Sequence, residues 1–154
     1  MSELESYFKG SKVVKELTPT DFDNKCHKCL KSKDPTIILF YAPWCSFCKK
    51  VKDVYNELGK KMLCVNVTSL NCEKYKEFAN RIREDGPGIL QGYPSICLFN
   101  NGEFVSKHDG DRDLDTLVKV CDHEPLQAEQ CAILVHYKGQ CSVKNGSYEE
   151  LKPY

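Results

Sequence analysis

Cys45 and Cys48 stand three positions apart in FYAPWCSFCKK, Phe40–Lys50, directly after an apolar run. Such a pair can be a redox centre, half of a metal site, or core filling. If the run Thr36–Tyr41 is a buried strand and a helix begins at the first cysteine, the choice narrows. A helix N-terminus carries unpaired N–H groups and a partial positive charge, both of which favour thiolate over thiol. A thiol with a pKa of about 8.5 is about 3% ionised at pH 7, whereas one with a pKa near 7 is roughly half ionised. Cys45 is therefore the candidate nucleophile. Cys48, one turn on and at the start of the helix's apolar face, is the candidate resolving thiol. Cys45 would attack a partner disulfide, and Cys48 would then attack the mixed disulfide and release the partner. The two sulfurs carry the electrons, so no dissociable cofactor is implied. The Trp44 and Pro43 neighbours suit a surface rim better than a core.

A second pair, Cys26-His27-Lys28-Cys29, repeats the spacing. A zinc site needs two more ligands at a suitable distance, and no second compact Cys or His pair accompanies it. His108, His123 and His136 show no ligand spacing, so no metal site is assigned. A haem attachment needs His after the second cysteine, where Leu30 and Lys49 stand. Cys26 and Cys29 share a helical spacing with Phe22, so they are expected as core or half-buried thiols; an accessory disulfide and a metal half-site are the other readings.

The elements that would hold these residues follow from periodicity. Lys12–Leu17 reads as a short strand, and Thr18-Pro19-Thr20-Asp21 opens a helix expected to run through Phe22, Cys26 and Cys29 or Leu30. Thr36–Tyr41 lacks polar alternation, as a strand buried on both faces does. Cys48, Val51, Val54 or Tyr55, and Leu58 mark a second helix stopping near Gly59. Met62–Val67 reads as a strand, and Tyr75, Phe78, Ala79 and Ile82 as a third helix. Ser95–Phe99 and Glu103–Ser106 flank Asn100-Asn101-Gly102, a hairpin signal. Leu114, Leu117, Val118 and Cys121 give a fourth helix. The order β-α-β-α-β-α-β-β-α implies an α/β three-layer sandwich: a mixed sheet of about five strands flanked by four helices.

The chain of 154 residues fits one domain with an extension, and its 22 basic and 22 acidic residues cancel, which gives no reason to expect nucleic acid or an anionic membrane as partner. The start MSELESYFKGSKVV is acidic where a signal peptide is basic, and no apolar run approaches about 20 residues. A soluble, cytoplasmic protein is expected, in a reducing compartment where its ten cysteines are thiols rather than a disulfide framework. Cys64 and Cys97 are expected as small core hydrophobes. Cys72, at a helix start, could react. Cys131 and Cys141 could bridge a tail hairpin or relay electrons.

FYAPWCxxCK, followed by Gly92-Tyr93-Pro94-Ser95, resembles the thioredoxin superfamily, and most of all the catalytic domains of protein disulfide isomerases. The resemblance covers about residues 11–122, after a lead-in of residues 1–10 and before an extension of residues 123–154 with a strand or hairpin candidate. It implies a thioredoxin fold and disulfide exchange with protein substrates, recycled by a reductase or an oxidase. It also implies a cis Pro94 facing the cysteines, so Trp44, Ser46, Phe47, Tyr93 and Pro94 become substrate-contact candidates. Arg112 matches the family's loop arginine that modulates the resolving cysteine. There are departures: Ser46-Phe47 replaces Gly-His or Gly-Pro, and Leu39 and Asn66 replace a buried carboxylate and the Lys that faces it. Loss of both halves together is consistent with the cost of a lone buried charge. The loop Asp85–Gly92 is expected to shape the groove beside Cys45, and the tail to cap the sheet or offer a homodimer surface. The rival function is a thioredoxin-like binding module that docks a partner through the loop before Pro94 and the tail.

Overall fold

The computed structural model describes residues 5–123. Five strands form one sheet in the order β1-β3-β2-β4-β5: β1 Lys15–Glu16, β2 Thr36–Tyr41, β3 Asn66–Asn71, β4 Ser95–Asn100 and β5 Glu103–His108. β1, β3 and β2 run parallel, while β4 and β5 add antiparallel. Three α-helices cover it: α1 Ser46–Lys61, α2 Lys76–Asp85 and α3 Leu114–His123.

The two-residue alternation of a strand divides the core into two layers. Ile37, Leu39 and Tyr41 face α1 and α3, where Cys48, Tyr55, Leu58 and Leu117 pack. Ile38 and Phe40 face the other way, against Phe78, Ala79 and Ile82 of α2. The three-layer thioredoxin fold thus stands as expected. Phe8, in the lead-in, is also part of the core, and Tyr7 stacks on Tyr41 with ring centroids 4.3 Å apart.

The helix expected to open at Thr18 does not form, whereas the one expected at Leu114–Cys121 does, as α3. Thr18 does cap, accepting from Thr20 N while Asp21 Oδ2 accepts from Thr18 N, but the result is a 3-10 turn over Pro19–Asp21. Phe22 is then extended and bridges antiparallel to Leu30. Asp23 takes the backbone N–H of Lys25 in an Asx turn, a local bond that competes with helix. Phe22 and Leu30 are buried as expected, through a loop rather than through a helical face.

Two other expectations shift. α1 passes through Gly59 to Lys61, and a Cβ at Gly59 would come within 2.5 Å of Val13 O. That glycine permits close approach of the lead-in instead of ending the helix. With α1 longer, Met62–Val65 serves as the connection, and the sheet is rejoined only where Asn66 N donates to Pro35 O. β3 carries more polar residues than the run before it, and the sheet and the turn that follows take up part of their bonding. Thr68 Oγ1 donates to Ile37 O, and Asn71 Oδ1 accepts from Glu73 N and Lys74 N. The hairpin is as expected, with Asn101 at φ 57° and Gly102 at φ 82°, the pattern of a primed two-residue turn. The tail expectations, including Cys131, Cys141 and the strand at 132–137, lie outside the described residues.

Candidate active site

β2 is fully buried and delivers the chain to one end of the sheet. A tight turn follows, closed by Cys45 N donating to Ala42 O at 3.0 Å, and Cys45 becomes the N-cap residue of α1. No side chain caps that end, so the free N–H groups of the first turn are left to act on the Cys45 sulfur. Both cysteines are free thiols, but their settings differ. Cys45 is 9% exposed and Cys48 0%. Burial pushes the Cys48 thiol up to about 12; the Ala42 backbone bond and the positive charge of Arg112 work against that rise.

The Tyr93–Pro94 bond is cis, and the Cys45 thiol donates to Tyr93 O at 3.7 Å. The structure therefore brings Cys45, Tyr93 and Pro94 to one place. Trp44 is 51% exposed and Phe47 57%, which leaves an apolar rim around the sulfur, with Ser46 exposed between. Trp44 is not loose: its Nε1 donates to Glu73 Oε1 at 2.7 Å, and its ring meets Tyr93 edge-on. The Trp44 bond, followed by Lys76, holds the Glu73 carboxyl below its ordinary value. Tyr93 is oriented in turn by Arg83, which reaches its hydroxyl and lies over its ring. Arg112 is exposed on the approach to α3.

Beneath the pair, Leu39 is wholly buried and in register with Ser69, while Asn66 is in register with Thr36 three residues away. The two positions expected to have lost an ion pair do not face each other across these strands. A partly buried carboxyl stands on β1. Glu16 Oε2 accepts from Tyr41 Oη at 2.6 Å and Phe8 N at 3.0 Å, and desolvation raises its pKa despite those bonds.

Sequence reasoning missed Tyr7, Glu73 and Arg83. Tyr7 Oη donates to Pro43 O at 3.0 Å, and its pKa is raised to about 12 by burial and then by the nearby Cys48 and Cys45. The Tyr7-Phe8 aromatic pair in a polar lead-in was the available signal for packing there. Glu73 and Arg83 had none, since each acts through a partner distant in sequence.

The other cysteines sort by setting. Cys26 and Cys29, in a loop rather than on a helical face, are joined in a disulfide, not held as thiols. Cys64, expected as a free core hydrophobe, is 1% exposed but also disulfide-bonded. Cys97 is a core thiol as expected, and Cys72, at 2% exposed, is buried too; burial raises both to about 12. In the loop Gly86–Gly92, expected to shape the groove beside Cys45, Ile89 and Leu90 instead plug the core beneath α2, and it is Tyr93, just after the loop, that meets Cys45. Among the described residues no three His, Cys, Asp or Glu side chains cluster as metal ligands, and no helix is long and apolar enough to cross a membrane.

Comparison with known proteins agrees with this geometry. The family model for thioredoxin matches residues 13–123. That for the ATP-dependent Clp protease adaptor protein ClpS matches 107–154, mostly outside the described residues. Protein disulfide-isomerase 5-1 of Arabidopsis thaliana is 32% identical over 122 residues, covering 77% of each chain. Protein disulfide isomerase-like 2-1 of Oryza sativa subsp. japonica is 29% identical over 141 residues, 89% of this chain and 34% of its own length. The chain thus spans about three quarters of the first relative and about a third of the second. The J-Trx1 fragment of ERdj5 superposes with a TM-score of 0.62 at 23% identity, over 76% of this chain and 54% of that one, a likeness of fold. A family model over most of the length and a relative matched across most of both chains place this protein in the thioredoxin family.

Proposed function

We propose that the chain is a dithiol–disulfide oxidoreductase acting on protein substrates, with Cys45 as nucleophile and Cys48 as resolving thiol. The observation that carries this is the asymmetry of the pair. One sulfur sits at a helix N-terminus beside the Tyr93 carbonyl and an exposed aromatic rim, while the other is fully buried one turn later. A substrate strand laid beside cis Pro94 would bring its disulfide to Cys45. Cys45 thiolate attacks, one substrate sulfur leaves, and Cys48 then attacks Cys45 to close their disulfide and free the reduced substrate. Run in reverse, the same steps oxidise a substrate dithiol. Relatives named protein disulfide-isomerases support this reading over a binding module with a vestigial pair. A protein reductase or oxidase recycles the pair.

Insulin reduction with dithiothreitol as electron source is the test. Cys45→Ser should abolish turnover, and Cys48→Ser, reduced and then mixed with insulin in the absence of dithiothreitol, should leave a stable mixed disulfide between Cys45 and the substrate. Undiminished turnover in Cys45→Ser would end the proposal.

A further inference from the structure

Cys26–Cys29 has the spacing of an exchange pair without being needed to hold its loop. The backbone already closes that loop: Asp23 N donates to Cys29 O at 2.8 Å, Cys29 N to Cys26 O at 2.9 Å, and Lys31 N to Asp21 O at 3.0 Å. Phe22 and Leu30 are anchored in the core by their own bridge. Stabilisation by a cross-link grows with the loop it closes, and a separation of three is at the short end. Both cysteines are half-buried, so an incoming thiol can reach them. The site is at the end of the sheet away from Cys45: Leu30 N donates to Gly102 O in the β4–β5 turn, whereas Tyr93, beside Cys45, precedes the opposite end of β4.

The surroundings suit a departing thiolate. His27, between the sulfurs in sequence, is fixed by its Nδ1 at 2.9 Å from Asp85 Oδ2 and by Phe78 against its ring edge. Lys25 and Lys28 flank it, both exposed. An imidazole beside two ammonium groups lowers the cost of a leaving sulfur's negative charge. Beside Cys29 opens a cavity of about 380 Å³, bordered by Lys28, Ile89, Glu103 and Phe104, with an apolar floor and charged edges. Such a groove accepts an extended segment of protein.

We propose that Cys26–Cys29 is a second disulfide-exchange site, which takes two electrons from a protein dithiol independently of Cys45 and Cys48. One partner thiolate attacks Cys29 Sγ, which borders the cavity, forming a mixed disulfide and releasing Cys26 as thiolate. The partner's second thiol attacks its own sulfur in that bond and frees Cys29. The partner ends as a disulfide, Cys26 and Cys29 as two thiols, with two electrons and two protons transferred.

The test uses full-length protein carrying Cys45→Ser and Cys48→Ser, so it does not depend on the function proposed above. Reduced, unfolded ribonuclease A is the probe, and alkylation mapped by peptide mass spectrometry reports each cysteine. The expected result is up to one disulfide formed in ribonuclease per chain, with Cys26 and Cys29 becoming alkylated together. The same mapping on the unsubstituted protein should show that pair reduced, whether or not the variant folds. His27→Ala should slow the transfer severalfold, and His27→Lys should restore part of it. Reduction by dithiothreitol but not by ribonuclease, or by neither, would overturn the proposal, leaving the pair a structural cross-link.

Discussion

The protein contains two cysteine pairs of identical spacing, and the fold treats them oppositely. Cys45 and Cys48 are mounted at the junction of a buried strand and a sixteen-residue helix, reduced, the first 9% exposed at the helix end and the second sealed. Cys26 and Cys29 lie in a loop, already oxidised, both half-buried. Between the first two stand exposed Ser46 and Phe47, between the second two a fixed histidine and a lysine. Spacing permits a small-ring disulfide in either place. The setting decides which sulfur attacks, which leaves, and how each responds to pH.

The largest separation between the pairs should appear in a pH profile. Cys48 can resolve a mixed disulfide only as thiolate, and burial pushes that thiol up to about 12. Because the folded pKa lies above the reaction pH, the thiolate fraction rises about tenfold for each pH unit between 7 and 10. The lifetime of the mixed disulfide on Cys45 should shorten in step, read by acid quench and mass spectrometry. Attack on Cys26–Cys29 depends on the incoming thiol, so its rate should flatten above about pH 8.5. A profile for resolution that also flattens above about pH 8.5 would mean that Cys48 opens to solvent before it reacts.

Stability offers a smaller contrast. Replacing Cys26 and Cys29 by serine removes a cross-link around a four-residue loop, for which the chain-entropy relation gives about 2 kcal/mol. The urea midpoint of the oxidised protein should fall accordingly, with the m value unchanged. A loss of twice that size would show that the sulfurs hold Phe22 and Leu30 in the core, against the backbone bonds that close the loop.

The same contrast marks what the sequence disclosed. β2 was legible because six consecutive buried residues admit few other structures, and the 101–102 turn because it needs positive φ. The cysteine pair, Trp44 and the Tyr93-Pro94 step were legible because they lie in compact motifs, and the structure assembles Cys45, Trp44, Tyr93 and Pro94 around one sulfur. The helix expected at Phe22 was not legible, because Phe22 and Leu30 are spaced for a helical face yet meet across a bridge, and only the Asp23 turn breaks the pattern. β3 was misplaced by four residues because it is polar at Asn66, Thr68, Ser69 and Asn71, and a bond such as that of Thr68 to the distant Ile37 carbonyl is invisible to local hydropathy. Tyr7, Glu73 and Arg83 reach the site through Pro43, Trp44 and Tyr93, 36, 29 and 10 residues away, so position in the chain said nothing of their roles.

Arg112 gives the smallest and most discriminating prediction. Its charge opposes the burial that raises the Cys48 thiol, yet the side chain is exposed, and exposed charges act weakly and are screened by salt. Arg112→Gln should lengthen the mixed-disulfide lifetime on Cys45 about twofold at low ionic strength, the size of a few tenths of a kcal/mol. In 1 M salt, where the screening length falls to about 3 Å, the variant and the unsubstituted protein should converge. Substitution by Lys should restore the original lifetime, because the effect is one of charge rather than of shape. Exchange at Cys26–Cys29 should not change in either variant. A lengthening that persists in high salt would place Arg112 in direct contact with the reacting sulfur, and no change at low salt would remove it from the resolving step.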